Sequence, residues 1–217
     1  MKAYQIATVL FLAIASRVCG DSPKPGYLYV STPREAPVFF VMAPPDYTAP
    51  IDVREHNPKL EGFGVAYRVL PDGSVRALWT IEGWYSFTVF LSSDGKYLVA
   101  MGPWNLGDGP KEGDLAVAFY REGALLKRYW TNQLVEDRSR VTRTASHYRW
   151  LKGDSFEGCG GGLHLDWDNK FYLTTIDGIA YTFDVTTGEI SEKAPNQATL
   201  PTTTAVTPAA SHPSRQP

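Results

Sequence analysis

The stretch FYLTTIDGIAYTFDVTTGEI (residues 171–190) holds two β-rich runs on either side of Asp177-Gly178. An Asp-Gly pair between such runs is a strong signal for a tight β-hairpin. Apolar and polar residues alternate from Ile179 to Phe183, as expected of a strand that buries one face. Thr187-Gly188 then marks a second turn. The stretch therefore predicts an antiparallel ribbon that is buried on one side.

Two earlier segments follow the same plan. VAYRVLPDGSVRALWT (residues 65–80) and VAFYREGALLKRYWT (residues 117–131) both run from Val-Ala-aromatic through an acidic-Gly turn to Trp-Thr. Another predicted hairpin precedes each of the three ribbons, within residues 27–44, 86–104 and 162–175. The repeat is therefore two hairpins over roughly fifty residues. It predicts an all-β antiparallel meander of about three four-stranded, propeller-like units. A partial propeller or a β-sandwich are the alternatives, since propellers usually have four to eight blades.

The alignment of the first two ribbons makes a specific prediction about two tryptophans. Trp79 and Trp130 fall at the same position of the repeat, directly before a threonine. Large aromatic residues at equivalent positions of a β-repeat are expected to fill equivalent places in the core. We therefore expect both tryptophans to pack between neighbouring units.

The ribbon at residues 171–190 also resembles the blade repeats of quinoprotein-type β-propellers. The matching residues are Asp177, Gly178, Tyr181, Asp184, Thr187, Gly188 and Glu189. This resemblance implies a propeller-like scaffold, and it carries no quinone-binding residues. Two further segments, FYREGALLKRYWTNQLV and RTASHYRWL, resemble uncharacterised exported bacterial proteins. That second resemblance implies a family but no activity, and no cofactor is expected.

The beginning of the sequence has the pattern of an export signal. A lysine near the start precedes the apolar run IATVLFLAIA (residues 6–15), which is too short to cross a bilayer of about 30 Å as a helix. Val18 and Gly20 are small enough for the −3 and −1 positions of a cleavage site. We expect cleavage before Asp21, with cleavage after Ser16 as the alternative. The predicted location is secreted or periplasmic, without a stable membrane span.

The predicted organisation has four parts, which are a signal peptide (1–20), a short linker (21–26), the β-repeat domain (27–192) and a tail (193–217). The tail is rich in Pro, Thr and Ala and lacks an apolar period, so we expect it to be disordered. The chain carries 21 Lys and Arg against 23 Asp and Glu, a formal net charge of -2. This balance gives no basic footprint for nucleic acid, and no such partner is predicted. The oligomeric state is left open.

Candidate chemistry centres on His147, Cys159, His164 and Asp166. A cysteine with a neighbouring histidine could act as a nucleophile, and the four residues together could bind zinc. Their spacing matches no paired-ligand pattern, and the glycine-rich surroundings of Cys159 offer no helix N-terminus to lower the thiol pKa. No catalytic, cofactor-binding or metal-binding residue is therefore assigned. An exported hydrolase or oxidoreductase with its site near His147 and His164 is kept as the alternative function.

Four residues are candidates for binding a ligand. Trp84 and Tyr85 precede the central hairpin, Trp104 follows it, and His147 lies on a later short strand. Exposed Trp and Tyr suit carbohydrate or peptide contact, because each has a broad apolar face and a polar edge. Core packing is the alternative for each tryptophan. The favoured function is a non-catalytic binding or interaction module for an unidentified protein or glycan.

Overall fold

A computed structural model of the protein describes residues 25–103, 109–144, 147–153 and 162–195, apart from the side chains of residues 54 and 55. Within these ranges the chain forms three four-stranded antiparallel sheets, and in each sheet the strands follow one another in sequence order. The first sheet is β1 (Tyr29–Ser31), β2 (Val38–Ala43), β3 (Phe63–Val69) and β4 (Val75–Glu82). The second is β5 (Val89–Leu91), β6 (Tyr97–Met101), β7 (Leu115–Arg121) and β8 (Ala124–Trp130). The third is β11 (His164–Leu165), β12 (Lys170–Thr174), β13 (Ile179–Asp184) and β14 (Glu189–Pro195).

These three meanders confirm the predicted all-β class and the propeller-like unit of four strands. The turn at Asp177-Gly178 is formed as expected, because the Gly178 nitrogen donates to the Thr175 carbonyl at 2.9 Å. Gly178 has a φ of 87°, a left-handed conformation that glycine adopts at no steric cost.

Short elements fill the connections. Between β2 and β3 lie α1 (Ile51–His56) and a 3-10 helix (Pro58–Glu61). Between the second and third sheets lie α2 (Thr131–Leu134), a 3-10 helix (Arg138–Arg140) and the hairpin of β9 (Thr142–Arg143) and β10 (Tyr148–Arg149). The helices in the described ranges are all too short or too polar to cross a membrane.

The sheets stack face to face and share two hydrophobic cores. The core between the first and second sheets contains Phe40 and Met42 from one and Leu98 from the other. The core between the second and third sheets contains Phe119 and Phe183, whose ring centroids are 5.1 Å apart. The first strands of the sheets lie side by side, with β5 contacting both β1 and β11. This is the arrangement of consecutive propeller blades around a common axis.

Trp79 packs at the first of these cores, as predicted. Its ring centroid is 5.5 Å from that of Phe40, and its Nε1 donates to the Gly95 carbonyl at 2.7 Å. Gly95 belongs to the turn between β5 and β6, so this tryptophan joins the first sheet to the second.

Trp130 does not occupy the corresponding position, and that prediction was wrong. The preceding residue, Tyr129, fills the place, with its ring centroid 5.3 Å from that of Phe183 in the third sheet. Trp130 is only partly buried, and the Arg128 guanidinium lies 5.1 Å from the centre of its ring. Successive side chains of a strand point to opposite faces, so an offset of one residue moves a side chain out of the core. In space, Trp79 therefore corresponds to Tyr129 rather than to Trp130, which is one residue away from the match that the sequence alignment gives.

The last strand extends beyond the predicted end of the β-repeat domain. Residues 193–195 continue the antiparallel pairing of β14 with β13, so that Lys193 lies opposite Tyr181. The Lys193 ammonium group pairs with the Glu136 carboxylate and lies 5.8 Å from the centre of the Tyr181 ring. Backbone pairing and these contacts hold a segment whose composition alone resembles the tail. Residues 196–217, and the predicted signal segment, lie outside the described residues.

Candidate functional site

The connections between strands alternate between two edges of the sheets. In an antiparallel meander, each turn reverses the chain, so every second connection opens on the same edge. The connections from β2 to β3, β4 to β5, β6 to β7, β8 to β11 and β12 to β13 therefore share one edge, which we call the connection rim. Trp84, Tyr85 and His147 all lie on these connections. Trp104 lies outside the described residues.

Four aromatic rings meet at the connection rim, and we call Tyr27, Tyr29, Tyr85 and Phe87 the aromatic cluster. The Tyr85 ring stands edge-on to Phe87, with centroids 5.0 Å apart, and edge-on to Tyr29 at 6.4 Å. Tyr27 closes the set, with its centroid 5.7 Å from that of Tyr29 and 6.4 Å from that of Phe87. Tyr27 is the outermost member and leaves 51% of its surface exposed. The cluster is thus a packed aromatic base that presents one tyrosine to solvent.

Hydrogen bonds fix these rings in place. The Tyr85 hydroxyl donates to the Tyr27 carbonyl at 3.0 Å and accepts from the Tyr27 nitrogen at 3.1 Å. The Tyr29 hydroxyl donates to the Ser86 carbonyl at 2.7 Å. These three bonds join the start of β1, and the residues just before it, to the connection between β4 and β5. The first strand and this connection therefore behave as one rigid support.

Burial disfavours ionisation of the two inner tyrosines of the aromatic cluster. Burial, followed by the neighbouring hydroxyls of Tyr85 and Tyr27, raises the pKa of Tyr29 far above its ordinary value. Burial is also the main cause that raises the pKa of Tyr85, and the nearby Tyr47 hydroxyl adds to it. Tyr47 stands on the connection between β2 and β3 and is 68% exposed. Tyr29 and Tyr85 are therefore held as un-ionised phenols.

Trp84 is part of the support rather than of the open surface. Its ring is stacked on that of Tyr120, with centroids 5.1 Å apart and an angle of 22° between the planes. It is partly buried and packs against the core between the first and second sheets. The backbone of Gly62 also approaches it closely, since a Cβ on Gly62 would lie 2.7 Å from the Trp84 carbonyl oxygen.

His147 is held inside a hairpin and does not join the aromatic cluster. Only 6% of its surface is exposed. Its Nδ1 lies 2.8 Å from the Thr144 hydroxyl oxygen, which also accepts a bond from the His147 nitrogen at 3.1 Å. These contacts close the turn between β9 and β10. A ligand at the rim would find little of this imidazole to contact.

His164 is exposed on a different surface, on the third sheet. Its ring stacks on that of Tyr172, with centroids 4.4 Å apart. The Asp166 carboxylate accepts bonds from the Tyr172 hydroxyl at 3.0 Å and from the Lys170 nitrogen at 2.8 Å. These partners account for Asp166 as part of a β-turn. Among the described residues, no three His, Cys, Asp or Glu side chains lie close enough to hold a metal ion, and Cys159 lies outside them.

Three members of the aromatic cluster were not predicted as site residues. Tyr27 and Tyr29 were placed in the first strand, and Phe87 in the central hairpin, with no reason to bring them together. The only sequence signal is the density of aromatic residues at 27–29 and 84–87. Their contact joins positions 58 residues apart in the chain, which a local pattern does not encode.

No protein-family model and no curated protein sequence matches the chain. Among solved structures, the C-terminal WD40 domain of Sif2 is 9% identical, with a TM-score of 0.30 over 80% of this chain and 39% of that one. Sqt1 from Saccharomyces cerevisiae is 14% identical, with a TM-score of 0.28 over 77% of this chain and 51% of that one. The chain therefore spans about two fifths to one half of the structures it is similar to. Because these TM-scores are low, the fold assignment rests on the geometry of the three sheets and not on these two similarities.

Proposed function

We propose that the protein is an exported binding module that holds a glycan or polypeptide at the connection rim, through Tyr27 and Tyr47. The observation that carries this proposal is the exposed Tyr27 ring on a hydrogen-bonded aromatic base. Such a surface binds without needing a catalytic group. The Tyr27 ring continues a packed cluster to the surface, so its position is fixed before a ligand binds.

The chemistry of the rim favours a neutral ligand. A phenol ring offers a flat apolar face to the C–H groups of a sugar or an aliphatic side chain, and its hydroxyl can bond to a polar edge. Burial raises the pKa of Tyr29 and Tyr85, so the base beneath the exposed rings places no phenolate beside a ligand. A rigid support also lowers the entropy lost on binding.

The rim can be tested by removing its two exposed rings. We expect Tyr27→Ala with Tyr47→Ala to weaken binding at least about tenfold, because exposed aromatic anchors often contribute more than 1 kcal/mol. The backbone bonds of residue 27 to the Tyr85 hydroxyl remain in this variant, so the support stays folded. Binding would be measured by affinity electrophoresis against neutral polysaccharides and on an array of unmodified peptides.

The matched control is Trp167→Ala. Trp167 is 81% exposed in the turn between β11 and β12, on the edge opposite the connection rim. Its removal should leave binding unchanged. Equal losses in both variants, or no retention of the wild-type protein on any polysaccharide or peptide, would reject the rim as the binding site.

Export is the second part of the proposal, and it is supported by the apolar run at residues 6–15 followed by small residues. We expect material recovered outside the cytoplasm to begin at Asp21. N-terminal sequencing of the exported protein measures this directly. Met1 retained on exported protein would contradict it.

The alternative, an exported hydrolase or oxidoreductase, has no supporting observation among the described residues. His147 is buried in a hairpin and His164 is stacked on Tyr172. The likeness of residues 171–190 to quinoprotein repeats concerns the turn pattern, and it supplies no residue for redox chemistry. A stoichiometric metal in purified protein would favour this alternative over the binding module.

A further inference from the structure

The first sheet has one covered face and one open face. The covered face carries Phe40, Met42 and Ala66, which are fully buried against the second sheet. Side chains that alternate with these point the other way. This second surface, which we call the front face, carries Val30, Phe39, Val41, Val65 and Tyr67. Strand register aligns Val30 with Val41 and Val41 with Val65, so the three valines form one row across β1, β2 and β3.

The centre of the front face is apolar, and its β4 edge is polar. By strand register Thr80 lies opposite Val65 and Glu82 opposite Phe63, and the Glu82 carboxylate pairs with the Lys59 ammonium group at 3.4 Å. The Phe39 and Tyr67 rings are stacked with centroids 5.1 Å apart, beside the row of valines. Val30 is 54% exposed. Within the residues that the structure describes, no second sheet packs on this face, and the 3-10 helix at Pro58–Glu61 contacts β3 and β4. An apolar patch of this kind is often functional.

The equivalent faces of the other two sheets are buried. The second sheet turns Leu98 and Ala100 toward the first, and the third turns Phe171 and Phe183 toward the second. Each covered sheet thus presents apolar residues to the sheet before it. The first sheet presents the same kind of surface, with no described sheet before it.

The opposite end of the stack is built differently. The outer face of the third sheet carries His164, Tyr172 and Thr182 in one row, by strand register. Beside them, the Lys170 ammonium group pairs with the Asp184 carboxylate at 2.9 Å. Covering this face with apolar residues would desolvate the ion pair, which costs free energy. The polar face is therefore a poor partner for the front face, and head-to-tail stacking of two copies is disfavoured.

We propose that the front face binds the front face of a second copy of this chain, across a twofold axis. A twofold contact places the same patch on both sides, so an apolar surface meets an equally apolar one. The segment 196–217 offers little to cover the face instead, with Leu200 and Val206 as its only large apolar residues. The apolar run at 6–15 is removed with the signal peptide, if the proposed export holds.

The size of the front face bears on how strongly two copies of the chain can bind each other. Three to four strands about 4.8 Å apart, each about six residues long at 3.3 Å per residue, give a footprint of roughly 300–400 Å². A standard stable interface buries about 800 Å² on each partner. The contact is smaller than that standard, so we expect a weak dimer that forms only as the protein concentration rises.

The test is sedimentation velocity of the exported chain from about 1 to about 200 µM, a range that spans micromolar dissociation constants. We expect the wild-type protein to shift from monomer to dimer over this range. Val30→Lys with Val41→Lys places charges in the contact and should leave a monomer throughout. The matched control Thr182→Lys, on the outer face of the third sheet, should dimerise as the wild type does.

A wild-type protein that stays monomeric at every concentration would overturn the proposal. Loss of the dimer in Thr182→Lys but not in the valine variant would also overturn it, because that result indicates head-to-tail contact. If the double variant does not fold, as judged by circular dichroism, Val30→Lys alone replaces it, since Val30 is already half exposed. The Tyr27→Ala/Tyr47→Ala variant should still dimerise, so a failure of rim binding is distinguishable from a failure of this contact.

Discussion

Phe183→Ala is expected to lower the free energy of unfolding by roughly 3–5 kcal/mol, the range for deleting a buried aromatic ring. Phe183 is fully buried, and its ring centroid is 5.1 Å from Phe119 and 5.3 Å from Tyr129. It therefore holds the third sheet to the second. Loss of the ring leaves a cavity between two sheets that the flanking strands cannot easily close. Urea denaturation followed by circular dichroism would measure the change.

Trp130→Ala is the matched comparison, because it removes an even larger ring from the second sheet, on the other side of the contact that Phe183 makes. It should cost only about 1 kcal/mol, close to the value of an exposed cation–π contact with Arg128. If the Trp130 variant lost as much stability as the Phe183 variant, the spatial alignment of the repeats described above would be wrong.

Gly102→Ala is expected to have the other large effect, through the backbone. A Cβ at position 102 would overlap the carbonyl oxygen of Leu115, and that oxygen belongs to the first residue of β7. The Gly102 nitrogen also donates to the Ala116 carbonyl at 2.8 Å, so the two segments cannot separate without losing this bond. We expect a loss of roughly 3 kcal/mol or more, at the upper end for overpacking. The melting temperature and the urea midpoint would both fall.

Gly109→Ala is the control for that substitution. It lies in the same connection, and a Cβ there would meet nothing within 4 Å. Its stability should match that of the wild-type protein. A Gly102→Ala protein as stable as Gly109→Ala would show that β7 can move away from residue 102 at little cost.

The class of fold and the strand count per unit were predictable because they rest on local signals. The Asp-Gly turn at residues 177–178 requires a left-handed backbone that glycine adopts freely, and alternation of apolar residues marks a strand with one buried face. Both are properties of a few neighbouring residues. The turn and strand signals therefore do not depend on how the rest of the chain folds.

The candidate site was only partly predictable. Tyr85 was singled out as a candidate and the structure places it in the aromatic cluster, whereas Tyr27 was not singled out, because only hydrogen bonds across 58 residues bring the two together. His147 was singled out for its chemistry, and the structure buries it against Thr144. Composition identifies a reactive side chain, but it does not determine what packs over it.

The sequence by itself determined the turns, the strands and their grouping by four. Only the tertiary structure decided which side of each strand meets the next sheet. That choice separates Tyr129, which packs against Phe183, from Trp130, which does not. It also leaves the first sheet with an open apolar face and the third with a polar one. The physical reason is that strand alternation has a period of two, so a pattern of apolar residues defines two faces without stating which neighbour covers either of them.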